Sequence, residues 1–241
     1  MVERIVPNDR SWNQQIAPHI QRYRFALPYV CGKRVLDAGC GVGYGSRLLA
    51  SSGAAQVVAV DISREALEVA EKQFAHDRLQ FICDDCQSLT KVGGAFDAVI
   101  SFEALEHFPD GHSFVARIAE LLAPQGVFIV STPNKSLSNG SNPYHVREYS
   151  LAEFRELLEP HFNRVTLLGQ HWTAAYLAFH RAAGAMWNNP FMRLGRWLQK
   201  IRGHEAKWPL AELVPTESDV VISELYPEAA MVLIAICRNV G

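Results

Sequence analysis

Apolar positions along the chain follow two periods, and the alternation between them predicts the fold. Short runs rich in β-branched residues mark strands at Arg34–Asp37, Gln56–Val60, Leu79–Ile82, Phe96–Ser101, Val127–Ser131, Arg164–Leu168 and Ala230–Ile236. Helical spacing fills the gaps. Ala66, Leu67, Ala70 and Phe74 form one stripe behind Ser63, a residue that caps helices. A second helix is expected from about Ser113 to Leu122, stopped by Pro124-Gln125-Gly126. Ser150 and Glu153 make a capping box before the stripe Leu151, Phe154, Leu157 and Leu158. Strands alternating with helices imply an α/β domain, with a mostly parallel sheet covered on both faces.

The connection between the last two strands breaks this rhythm. Roughly sixty residues separate them, far beyond an ordinary loop. Residues 172–220 therefore read as an insert within a single domain spanning 1–241. It carries Trp172, Trp187, Trp197 and Trp208. Asn189-Pro190 can start a helix whose apolar stripe is Phe191, Leu194, Trp197, Leu198 and Ile201, flanked by Arg193, Arg196, Lys200 and Arg202. Three readings stay open for it. It is a lid over an apolar acceptor, a basic helix (190–202) in peripheral contact with an anionic membrane, or a face packed on its own domain or a homodimer partner.

Composition narrows the classes. Of 241 residues, 49% are apolar and 20% charged, enough for a core without disulfides or metals. A net charge of −2 argues against a nucleic-acid coat. Met1–Ile5 is charged early and no run approaches a membrane span, so neither a secretory signal nor a transmembrane helix is expected. Five scattered cysteines, an odd number, suit reduced thiols in the cytoplasm. Cys83 and Cys86 form a lone C-x-x-C around Asp84 and Asp85, whose charges would raise a thiolate's pKa. The redox or zinc reading therefore gives way to a strand end whose small residues line a pocket.

The sharpest motif is Asp37-Ala38-Gly39-Cys40-Gly41-Val42-Gly43, between a strand and a helix. Its glycines allow a tight turn and close approach of backbone to a ligand. Nicotinamide enzymes use such loops too, but Asp37 would repel a pyrophosphate and suits a ligand carrying an ammonium and a sulfonium. Asp61 ends the next strand, where an acid can take both ribose hydroxyls.

With these motifs, together with Asp84-Asp85-Cys86, Phe96–Ile100 and Leu122–Gly126, the chain resembles the class I S-adenosylmethionine-dependent methyltransferases over about residues 19–170. The resemblance implies a Rossmann-like, seven-stranded sheet of order 3-2-1-4-5-7-6 with the last strand antiparallel and the insert between strands 6 and 7. It implies that S-adenosylmethionine meets Gly39, Gly41 and Gly43 beside Asp37, with its ribose on Asp61 and its adenine between Ile62, Asp85 and Cys86. Ser101, Phe102 and Glu103 would close the methionine end, and Tyr23 joins from the preceding helix. Glu3–Pro7 and Asn142–His145 look like bacterial methyltransferases associated with cell-surface sugars or specialised metabolites.

Methyl transfer to an alcohol needs alignment and removal of a proton. If the turn after Phe102 is helical, Glu103, Glu106 and His107 share one face at the carboxyl end of the sheet. His107 is the candidate general base, with His145 beside it. The E-x-x-E-H pattern with a later histidine is similar to metal-assisted O-methyltransferases of the ubiquinone pathway and of small-RNA 3′ ends. Glu103, Glu106, His107 and His145 are accordingly the candidate ligands of a divalent metal. Asn134, His145 and Glu148 are expected at the acceptor. The expected reaction is O-methylation of a small-molecule, sugar or lipid-linked acceptor. An RNA 2′-O-methyltransferase and a non-catalytic S-adenosylmethionine-binding protein are the rivals.

Overall fold

The computed structural model describes residues 10–178, 181 and 216–239. The helix read over 190–202 and the segment Glu3–Pro7 lie outside the described residues. Elements run α1 (Arg10–Val30), β1 (Arg34–Ala38), α2 (Tyr44–Ser51), β2 (Gln56–Asp61), α3 (Arg64–Gln73), β3 (Leu79–Cys83) and β4 (Phe96–Phe102). They continue through α4 (Gly111–Leu121), β5 (Leu122–Pro133), α5 (Leu151–Leu158), β6 (Arg164–Trp172), β7 (Val220–Ser223) and β8 (Val232–Arg238).

The sheet has eight strands in the order β3-β2-β1-β4-β5-β8-β6-β7. Strands β3, β2, β1, β4 and β5 pair in parallel, and β8 runs antiparallel between β5 and β6. Without β7 this is the expected order. The expected seven strands are corrected to eight, because Val220–Ser223, at the end of the presumed insert, pairs antiparallel with Gly169–Trp172. Alternating Val-Val-Ile carries no turn signal, but four residues are too few to stand out as a strand beside a long connection.

The strand period sorts side chains onto two faces. Leu36, Val58, Val60, Val99 and Phe128 join Phe114, Ile118, Phe154 and Leu158 of α4 and α5. Val35, Val57, Ala98, Ile100 and Leu168 join Tyr23, Ala26 and Val30 of α1 and Leu49 of α2. Asp37 shares the parity of Val35, so its carboxylate enters the α1/α2 layer, as does Gln170, two residues beyond Leu168. The Ser63 cap and the Ser150–Glu153 capping box form as expected. Helix α4 starts earlier than read, at Gly111, because Asp110 caps it by accepting from the Ser113 N–H at 3.1 Å.

Candidate active site

Strands β1, β2 and β4 end on one rim, where chain crossing from β1 to its two neighbours opens a crevice. A cavity of about 670 Å³ occupies it, walled by the glycine loop, α1, the β4 exit and the ends of β6 and β8. Gly39, Gly41 and Gly43 all have positive φ (85°, 55° and 84°), backbone that L side chains rarely adopt. A Cβ at Gly39 would meet Ala104 Cβ at 2.7 Å, whereas Gly41 has nothing within 4 Å and lies open to a ligand. The Asp61 carboxylate holds this loop in place. Oδ2 accepts from the Gly41 N–H at 2.8 Å and Oδ1 from the Ser63 N–H at 2.9 Å.

Of the expected cofactor residues, Tyr23, Gly39, Gly41, Asp61, Ile62, Asp85, Cys86, Phe102 and Glu103 line the cavity. Asp37, Gly43 and Ser101 stand behind its wall. Gly43 is pressed against Ala70 and Phe81, and the buried Ser101 hydroxyl donates to Ala38 O at 2.9 Å. Asp37 is fully buried beneath Tyr23. It accepts from Ser46 Oγ at 2.6 Å and from Tyr23 Oη at 3.2 Å. Burial pushes its carboxyl up to about 7, against the lowering effect of the Ser46 and Tyr23 hydroxyls.

That shift has a sign. Between about pH 4 and 7 the folded protein keeps a proton on Asp37 that the unfolded chain releases, so this group's contribution to stability falls as pH rises through the window. Asp37→Asn should therefore gain thermal stability over the wild type as pH is raised from 5 to 8. A melting-temperature difference that stays constant across that range would contradict the assignment.

Cys86 lines the cavity, and burial first, then Asp61, raises its thiol far above the usual range. Of the two cysteines of the C-x-x-C, Cys86 lines the cavity and Cys83 does not.

At the β4 exit the expected helical face is not formed. Glu103 takes φ 53°, and only Leu105–His107 makes a 3-10 turn. Glu103 Oε1 accepts from Ser131 Oγ at 2.7 Å. It therefore leaves the candidate metal set, and the ligand atoms of Glu106, His107 and His145 lie within 4.8 Å of one another. His107 Nδ1 lies 2.9 Å from Tyr144 O. A carbonyl only accepts, so Nδ1 is the donor; in the neutral ring Nε2 then presents a lone pair, 4.0 Å from Glu106 Oε1. His145 Nδ1 pairs with Glu148 at 2.6 Å and its Nε2 with Asn142 at 2.9 Å. Glu106 is buried, and burial first, then the Glu103 charge, raises its carboxyl well above the usual value.

Two acceptor expectations are corrected. Asn134 is buried, and its amide donates to Glu228 O and Ala230 O, joining the β5 exit to the approach to β8. Glu148 does not line the cavity; it braces His145 and Ser138.

Sequence reasoning missed the α1 side. Arg22, His19, Tyr44, Gln170 and Trp172 all line the cavity. Arg22 is 1% exposed, donates from Nη1 to Gln170 Oε1, and has no hydrogen-bond partner at Nε or Nη2. The signal was present: Arg22 stands four residues before Ala26 and eight before Val30, inside a buried helical stripe. His19 lies 3.1 Å from Tyr44 Oη, and burial, then Arg22, holds it well below its usual pKa.

Residues 35–126 match a methyltransferase-domain family model. A probable S-adenosylmethionine-dependent methyltransferase of Mycolicibacterium smegmatis is 35% identical over 162 residues, covering 65% of this chain and 62% of the relative. Residues 35–126 are thus similar to a methyltransferase domain, and the chain has the Rossmann-like class I methyltransferase fold. The chain spans less than two thirds of the length of the curated relatives it matches, 62% and 58% for the first two. A ubiquinone biosynthesis O-methyltransferase of Neisseria meningitidis is 37% identical over 111 residues, covering 44% of this chain and 47% of that one. The fold matches an S-adenosylmethionine-dependent methyltransferase from Mesorhizobium loti with a TM-score of 0.58 at 18% identity, covering 92% and 98% of the two chains. Among the described residues no helix is long and apolar enough to cross a membrane.

Proposed function

We propose that this protein transfers the methyl group of S-adenosylmethionine to a hydroxyl oxygen of a small, ring-bearing acceptor, with His107 as general base. The observation that carries this reading is the contact of His107 Nδ1 with Tyr144 O at 2.9 Å. With Nδ1–H fixed on Tyr144 O, the basic Nε2 belongs to a side chain that lines the cavity.

The remaining groups fit the cofactor. Asp61 and the Gly41 backbone take the ribose, and Ile62 flanks the adenine beside Asp85. Glu103 receives the methionine ammonium, and that positive charge would favour the ionised form of Asp37 behind it. Arg22 receives the methionine carboxylate on its Nε and Nη2 atoms, the pair that binds a carboxylate bidentately. When bound, S-adenosylmethionine supplies a methyl carbon activated by the sulfonium. The chain then has to align the acceptor and remove its proton.

Pro18, Pro133, Trp172, Met231 and Val232 give the cavity an apolar far side, and the indole of Trp172 is braced by stacking on Tyr176 at 4.3 Å. That side suits a ring better than a polyanion. The net charge of −2 and the likeness to ubiquinone O-methyltransferases favour a small-molecule acceptor over RNA.

A second reading rests on the cluster of Glu106, His107 and His145. These three side chains would hold a divalent cation if His145 Nε2 gave up its contact with Asn142, with Tyr144 O and Glu148 orienting the two imidazoles. The cation would supply Lewis acidity to an acceptor hydroxyl. Binding it requires Glu106 to give up the proton its burial favours, so cation affinity would rise with pH. One experiment separates the readings: labelled S-adenosylmethionine with a panel of catechols, phenols and free sugars, with and without chelator. The base reading expects methyl ethers at an unchanged rate under chelation. Loss of activity that magnesium restores would favour the metal, and N-methylated products from matching amines alone would overturn the oxygen assignment.

A further inference from the structure

Gln170 is completely buried at the end of β6, a strand on the far side of the sheet from the nucleotide-binding loops. All its polar groups are engaged across elements. Its Nε2 donates to Pro18 O of α1 at 2.8 Å, its Oε1 accepts from Arg22 Nη1, and its backbone carbonyl accepts from the Met231 N–H at 3.2 Å. One side chain thus ties the helix that carries Arg22 to the sheet half that carries Trp172 and Met231.

A guanidinium has three edges. Gln170 occupies the one at Nη1 and so sets the plane of the group, leaving Nε and Nη2 for a ligand. Glu103 Oε2, at 4.0 Å from Nη2, is too far for a hydrogen bond. The chemical identity of the clamp matters. A carboxylate in place of the amide would also hold Nη1, but it would offset the positive charge inside a low-dielectric wall. An amide orients the guanidinium without itself offsetting its charge.

We propose that Gln170 is a positioning residue for cofactor binding: a neutral clamp that aims Arg22 at the carboxylate of the methionine moiety. This rests on the reading of Arg22 given above. Acting through Arg22, Gln170 affects only ligands that carry the carboxylate.

The test compares two ligands by calorimetry on the full chain. S-adenosylhomocysteine has the carboxylate, and 5′-methylthioadenosine lacks the amino-acid end. Gln170→Glu, nearly isosteric, should weaken S-adenosylhomocysteine by about tenfold, one charge-assisted contact's worth, and leave 5′-methylthioadenosine within about twofold. Gln170→Leu should shift in the same direction, and retained 5′-methylthioadenosine binding certifies that the pocket is intact. Wild-type S-adenosylhomocysteine affinity in Gln170→Glu would overturn the proposal, as would equal losses for both ligands. Arg22→Met is the control on the underlying reading. If it leaves S-adenosylhomocysteine unchanged, Arg22 does not bind the carboxylate. If it weakens that ligand while both Gln170 variants bind normally, only the clamp is wrong.

Discussion

Asp61→Ala should lower affinity for S-adenosylhomocysteine by about a hundredfold or more, because one carboxylate builds the loop and, in the proposed reading, also binds the ligand. Its two oxygens hold the Gly41 and Ser63 N–H groups at 2.8 and 2.9 Å. Truncation removes the acceptor that holds the Gly41 N–H and so loosens the loop. It also removes the acceptor for the ribose hydroxyls. Hydrogen bonds to a charged group are worth about 1.5–3 kcal/mol each, so two lost hydroxyl contacts alone amount to about 3 kcal/mol or more. Asp61→Asn keeps the size but cannot accept at both positions, so its loss should be intermediate. Calorimetric titration with S-adenosylhomocysteine measures both. Affinity within threefold of wild type for Asp61→Ala would remove the ribose assignment.

His107→Ala should act on turnover instead. Removing a general base costs about 10²–10⁴ in rate, and the His107 ring nitrogens play no part in the loop that Asp61 holds. Expected, therefore, is a kcat lower by at least about a hundredfold for the best hydroxyl acceptor of the panel, with S-adenosylhomocysteine affinity within about twofold. His145→Ala should fall less under the base reading, because its Nδ1 is held by Glu148 and its Nε2 by Asn142. Equal collapse of both variants would move the account toward the metal. A kcat for His107→Ala near wild type would refute the base assignment outright.

These two residues mark how far the sequence could be read. The cofactor half was legible because its chemistry is local: strand, glycine turn and acid follow one another within a few residues, and each β-strand end delivers its acid to the same rim. Asp61 and Asp85 could be placed at the cavity wall, and Asp37 close to it, on that basis. Their depths could not, since the register that sinks Asp37 beneath Tyr23 depends on packing of α1 over the sheet. The acceptor half was less legible because it is assembled from distant segments. Arg22 and Gln170 are 148 positions apart, and nothing in either one's neighbourhood announces the other.

The corrections have the same origin. Glu103 falls outside the metal group; it takes left-handed backbone and is hydrogen-bonded to Ser131 on the neighbouring strand. Asn134 was read as an acceptor contact from loop composition, but it satisfies two carbonyls nearly a hundred residues away. The eighth strand was hidden because a four-residue edge gains its identity only from the β6 hydrogen bonds it completes.

The central claim is that this cavity orients S-adenosylmethionine with its methyl toward His107. A crystal structure of the full chain with S-adenosylhomocysteine tests it most directly. The account predicts the ribose on Asp61, the homocysteine carboxylate on Arg22 Nε and Nη2, and the sulfur facing His107 Nε2. Clear density for the ligand with its sulfur turned away from His107, or with its carboxylate on a group other than Arg22, would contradict it.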